Sequence, residues 1–108
     1  MYVNIQGDVH VHVDEEKSAK EIRNSPKLYE KKQKVKKRDK VCQICGDMGN
    51  NGYLEVHHLF PVSKYPHMAT NEGNMICLCQ KHHAQYHNEY EGNINPITFI
   101  EFIKEVLK

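Results

Sequence analysis

Two pairs of candidate metal ligands with equal spacing, Cys42-Gln-Ile-Cys45 and Cys79-Gln-Lys-His82, constrain this chain more than any other feature. A Cys-x-x-Cys-Gly knuckle lets two thiolates from one tight turn reach a single tetrahedral ion, and Gly46 eases that turn. One such pair is a weak signal. A second pair further along predicts a closed site of Cys42, Cys45, Cys79 and His82 around a structural Zn²⁺. The competing choice takes Cys77 in place of Cys79; otherwise Cys77 is left as a small buried hydrophobe in a strand. Two disulfides would be the other use of the four cysteines. Residues Met1 to Asp14, however, lack the charged-then-apolar pattern of a secretion signal, which favours metal over disulfides. No apolar run reaches the roughly 18 residues of a membrane helix, so the expectation is a soluble, cytoplasmic protein.

A metal also suits the size of the chain. Its 108 residues allow one domain, and a hydrophobic fraction of 39% leaves a small core that gains from a further tie.

Along the chain, Val3, Ile5, Val9, Val11 and Val13 alternate with polar residues, a strand signature, and Gly7-Asp8 would supply a hairpin turn. His10 and His12 then share the polar face and read as solvated strand residues. Asp14-Glu15-Glu16 resembles a helix start, and Ser25-Pro26 a cap with proline in the first turn. Helices are therefore expected over about 15–23 and 26–38. The second has only Leu28, Tyr29 and Val35 as apolar anchors, so it is either exposed or settles against nucleic acid. Gly49-Asn-Asn-Gly52 before the run 53–56 suggests a β-hairpin. A helix is expected from about Gln80 to Glu91, ended by Gly92. Asn95-Pro96 opens a last helix, whose stripe of Ile97, Ile100, Ile103 and Leu107, flanked by Phe99 and Val106, reads as core packing.

The net charge of +1 hides an asymmetry. Residues 15–41 carry eleven Lys and Arg against five Asp and Glu, whereas residues 42–108 carry four against seven. Lys31, Lys32, Lys34, Lys36, Lys37, Arg38 and Lys40, which lead into the knuckle, are candidates for phosphate contact, with Lys64 and Lys81 nearer the histidines. A solvated helix face would have the same composition.

Most of the eight histidines fall between His57 and His87. On a helix following Cys79, His83 and His87 lie four apart and project from one face. His57 and His58 end a strand and so point to opposite faces. Hydrolysis of a phosphodiester needs a base for the attacking water and positive charge at the phosphate and the leaving 3′ oxygen. His57, His83 and His87 suit ligation of a cation with open coordination positions; His58, unligated and titrating near neutrality, suits the base.

The string Leu54-Glu-Val-His-His-Leu-Phe-Pro61, followed by Asn74-Met-Ile-Cys-Leu-Cys79 and His82-His83-Ala-Gln-Tyr-His87, resembles the HNH endonuclease motif in its zinc-knuckle phage and bacterial branch. Members of that branch usually carry cysteine where His82 stands. The resemblance implies an α+β fold: a small ββα-metal (His-Me finger) core with a structural zinc knuckle over residues 41–108 that includes a carboxy-terminal helix. Residues 1–40 then form a β-hairpin and a basic helical extension. It implies that His58 is the general base and that His57, His83 and His87 ligate the catalytic cation. Asn74, it implies further, orients the loop that carries the base. The implied catalytic set is thus His58, Asn74 and His83, and the implied cofactors are structural Zn²⁺ and a catalytic Mg²⁺, Mn²⁺, Ni²⁺ or Zn²⁺. The implied partner is double-stranded DNA, with a homodimer or a phage packaging or recombination partner as sources of specificity and a bacterial cytoplasm as the setting. A noncatalytic nucleic-acid-binding zinc module is the alternative.

Overall fold

The computed structural model describes the backbone of residues 2–5, 9–12 and 19, and the whole of residues 20–49 and 52–108. The amino-terminal alternation forms two strands, β1 (Tyr2–Ile5) and β2 (Val9–His12), paired antiparallel with Ile5 opposite Val9. The turn expected at Gly7-Asp8 and the helix start expected at residues 15–18 lie outside the described residues. The first described helix is α1 (Ala19–Arg23), and α2 follows as Pro26–Asp39.

Helix α2 begins where its cap dictates. The Ser25 hydroxyl accepts the Leu28 N–H at 3.2 Å and Pro26 occupies the first turn. Lys36, Lys37 and Arg38 fill the last turn, where cations complement the helix dipole. Sparse as its anchors are, α2 does bury a face: Leu28 and Val35 are fully enclosed, whereas Tyr29 is exposed. Polar ties at its end replace missing apolar area. The Arg38 guanidinium donates to the Glu72 and Met75 carbonyls at 2.9 and 2.6 Å, and Asp39 accepts the Cys77 N–H at 3.0 Å. These bonds fix α2 against the strand that carries Met75 and Cys77.

That strand, β4 (Met75–Leu78), pairs antiparallel with β3 (Glu55–His58), with His57 opposite Ile76 and His58 opposite Met75. Strand β3 pairs with β4, and the centre of the expected Gly49–Gly52 turn, residues 50 and 51, lies outside the described residues. Gly49 has a φ of 86°, and a Cβ there would run into the Tyr53 carbonyl, so the turn needs glycine. Two 3₁₀ turns, Pro66–Met68 and Glu72–Asn74, bridge the strands, and α3 (Gln80–Glu89) leaves β4 at Cys79. Strands β3 and β4 with α3 form the ββα unit.

The last helix, α4 (Pro96–Val106), opens with a reciprocal cap in which the Asn95 side chain accepts the Thr98 N–H and the Thr98 side chain accepts the Asn95 N–H. Its buried face differs from the expected stripe. Ile97, Ile100 and Leu107 are 71%, 53% and 62% exposed, whereas Phe99 and Phe102 are enclosed and Ile103 and Val106 pack partly beside them. The aromatic rings decide the phase of the helix, because each removes more apolar surface from water than an isoleucine. Both close on the buried Tyr86 ring, at centroid distances of 5.2 and 5.3 Å. Among the described residues no helix is long and apolar enough to cross a membrane.

Candidate metal centres and active-site pocket

Local turns bring the first ligand cluster together. At the knuckle, Gly46 donates its N–H to the Cys42 carbonyl at 2.8 Å and adopts a φ of 77°. Gln43 donates to the Cys77 carbonyl at 3.0 Å, which ties the knuckle to β4. Cys79 caps α3, its sulfur accepting the His82 N–H at 3.4 Å. The donor atoms of Cys42, Cys45, Cys79 and His82 all lie within 4.8 Å of one another. Cys45 and Cys79 sulfurs are 4.0 Å apart, and the Cys79 sulfur is 3.2 Å from His82 Nδ1. All four cysteines are free thiols. Three sulfurs and one imidazole, convergent and unbridged, form a group that can hold a metal ion, a donor set of the kind that suits zinc. Cys77 lies outside the cluster, fully buried in β4, as a small hydrophobe.

The second cluster is built by two periodicities. On β3, Glu55 and His57 point to one face and Val56 and His58 to the other. On α3, His83 and His87 lie on one face, with ring centroids 4.6 Å apart. His57 reaches both rings, at 5.2 and 5.4 Å, and the donor atoms of the three histidines lie within 4.8 Å of one another. His57 is 2% exposed, stacked on Phe99 at 5.0 Å, and its buried Nε2 has no hydrogen-bond partner. Burial, reinforced by His83, His87 and His58, pushes its pKa down to about 3, so its imidazole is neutral. An orphaned nitrogen on a neutral ring facing two further imidazoles fits a divalent cation: a buried acceptor left bare would otherwise go uncompensated. Burial also lowers the pKa of His87, with the neighbouring His83 adding to it.

His58 occupies the opposite face of β3 yet lines the same recess of about 210 Å³ as the other three histidines. Its Nε2–H donates to the Ala69 carbonyl at 2.9 Å. A carbonyl only accepts, so Nδ1 of neutral His58 carries the free lone pair. Burial lowers its pKa; the Ala69 bond opposes that shift, and Lys32 and Arg23 add to it. The chain after His58 is pinned by Asn74, itself 2% exposed. Its Oδ1 accepts the Phe60 N–H at 2.8 Å, and its Nδ2 donates to the Phe60 and Met68 carbonyls at 3.0 and 3.3 Å.

The basic residues divide by what they touch. Lys31 pairs with Glu72 at 3.3 Å, Lys34 with Glu30 at 3.6 Å, and Lys36 lies over the Tyr53 ring at 5.7 Å. Arg38 is engaged in the fold, whereas Lys37 and Lys40 are exposed. Lys32 lines the histidine recess, and Lys64 lines an adjoining one with His87. Lys81 lies beside the cysteine cluster.

Sequence reasoning passed over three residues. The Glu55 carboxylate accepts from His83 Nδ1–H at 2.7 Å; its signal was its position two residues before His57 on the same strand face. Arg23 lines the recess from the end of α1, with no sequence signal beyond its charge. Phe99 lies under His57, a contact between distant segments that no local pattern reveals.

Comparison with curated proteins and with solved structures finds no match. The family model described as HNH endonuclease matches residues 42–90, which include both ligand clusters, His58 and Asn74. That segment, a little under half of the chain, is similar to the HNH endonuclease family.

Proposed function

We propose that the protein is a metal-dependent endonuclease that hydrolyses phosphodiester bonds of double-stranded DNA. The observation that carries this reading is the pairing of two unlike imidazole environments in one recess. His57 is buried with a bare Nε2 and offers a ring nitrogen within 4.8 Å of donor atoms of His83 and His87, while His58 beside it keeps Nδ1 free.

His57, His83 and His87 would hold a divalent cation such as Mg²⁺, Mn²⁺, Ni²⁺ or Zn²⁺, and that cation supplies positive charge to the phosphate and the departing 3′ oxygen. His58 Nδ1 takes the proton from the attacking water as its oxygen bonds to phosphorus and the bond from phosphorus to the 3′ oxygen breaks. The Ala69 carbonyl fixes the tautomer that leaves Nδ1 available, and Asn74 holds the chain that positions this ring. Glu55, bonded to His83 Nδ1–H, leaves His83 Nε2 as the ligating atom. Cys42, Cys45, Cys79 and His82 would hold a structural Zn²⁺, which would tie the knuckle to the start of α3 that carries His83 and His87. Lys37 and Lys40 extend the contact with DNA backbone.

The test is nicking of supercoiled plasmid in Mg²⁺ or Mn²⁺. The wild type should nick, and His58→Ala should abolish nicking while leaving zinc content and circular dichroism unchanged. Equal cutting by that variant overturns the assignment of the base. A wild type that shifts DNA in a gel but cuts with no divalent ion overturns the enzymatic reading in favour of a binding module.

A further inference from the structure

Two cations on the wall of the histidine recess come from outside the segment that matches the family. Arg23 ends α1, and Lys32 lies within α2. Among the described residues, neither is paired with a carboxylate: the ion pairs of α2 are made by Lys31, Lys34 and Arg38. Glu55 is the acidic neighbour of the histidines, and it is engaged by His83. Lys32 is half buried, and that burial, with the charges of Lys36 and Arg23, lowers its pKa from the usual lysine value. Holding an ammonium group there without a counter-charge is unfavourable unless an anion arrives.

Among the described residues, no carboxylate pairs with the two cations of this recess beside a trio of metal-competent imidazoles, and the anion of the proposed reaction is a phosphodiester. We propose that Arg23 and Lys32 grip the nonbridging oxygens of the scissile phosphate, so that α1 and α2 complete the active site. This inference rests on the endonuclease reading above. Arg23 offers a planar fork suited to two phosphate oxygens, and Lys32 a compact charge. Their place in the recess distinguishes them from Lys37 and Lys40, whose contacts would fall along the backbone away from the reacting bond. A contact at the reacting phosphate strengthens as charge builds in the transition state, whereas a distant one contributes to binding alone.

The experiment measures the single-turnover nicking rate of supercoiled plasmid at saturating protein, alongside binding of a short duplex by fluorescence anisotropy without added divalent cation or chelator. Lys32→Gln and Arg23→Gln should each lower the saturated rate constant by about tenfold or more, with a smaller effect on duplex binding. Lys32→Arg should retain more of the rate than Lys32→Gln, and Lys104→Gln on α4 should leave it unchanged. Circular dichroism and zinc content check that the variants fold. A saturated rate constant unchanged in both glutamine variants, with binding alone weakened, overturns this proposal and leaves the endonuclease reading standing. A wild type that fails to nick whichever divalent ion is supplied overturns the endonuclease reading, and this proposal falls with it.

Discussion

The Glu55 carboxylate lies 2.7 Å from His83 Nδ1, across 28 residues of sequence, joining the start of β3 to the first turns of α3. An acceptor on Nδ1 holds the proton there, leaves the lone pair on Nε2, and raises the basicity of that nitrogen. Glu55→Gln should therefore weaken binding of Mn²⁺ or Ni²⁺ at the histidine trio by about 10–100-fold without loss of the structural zinc. Isothermal titration into the zinc-loaded protein measures it. Unchanged affinity would mean that the carboxylate does not orient His83.

The cysteine cluster should govern folding rather than chemistry. It joins the knuckle to the start of α3, two segments otherwise held through β4, so Cys42→Ser and prolonged chelation should both lower Tm together with zinc content. Metal analysis of the native protein should show this site filled by zinc. A chelated protein that keeps its Tm would remove the structural role.

His57 makes stability depend on pH. Its folded pKa of about 3 lies below the ordinary 6.5, so between those values the unfolded chain binds a proton that the folded chain refuses. Its share of stability is therefore full at neutral pH and is lost as pH falls from about 6.5 toward 3, at up to about 1.4 kcal/mol per pH unit. Urea unfolding between pH 7 and pH 4 should show this slope reduced in His57→Phe, whose ring can stack on Phe99. Parallel curves for the two proteins would contradict it.

The phase of α4 gives a sharper test of packing. Phe102 is fully buried against Tyr86, whereas Ile100 is 53% exposed. Phe102→Ala should destabilise the protein by about 3–5 kcal/mol, as large buried truncations do. Ile100→Ala should change stability by about 0.5 kcal/mol or less, the range of exposed sites. Chemical denaturation of the two variants would expose the opposite register if Ile100 proved the costlier loss.

That helix marks the boundary of what the sequence discloses. Isoleucines at helical spacing and phenylalanines interleaved with them specify two candidate faces, and only the position of the Tyr86 ring on α3 selects one. The knuckle and the His83 and His87 pair were legible because each depends on local geometry, a turn or a helical repeat. Glu55 beneath His83 and Phe99 beneath His57 were not, since each contact needs two elements docked first. The charge run before the knuckle lay between these cases. Its sign was plain, but which cations fold the chain and which remain for a ligand depended on the carbonyls that α2 meets.

Arg38 and its neighbours make that division testable. The Arg38 guanidinium bonds the Asp39 carboxylate at 2.7 Å and two carbonyls beyond, and Asp39 in turn accepts from β4, so this arginine holds α2 in place. Burial works to raise the Asp39 pKa, but the Arg38 and Cys77 bonds outweigh it and keep the group a carboxylate. Arg38→Ala should destabilise the fold by about 1–3 kcal/mol, because carbonyls and a partly buried carboxylate lose their donor. Lys37→Ala and Lys40→Ala should leave stability nearly unchanged, yet each should flatten the salt dependence of duplex binding by about 0.9 in the log–log slope if it meets a phosphate. Denaturation and salt-titrated anisotropy on the three variants read both effects. A stability loss confined to the lysine variants, or a salt slope altered by none of the three, would reassign the run.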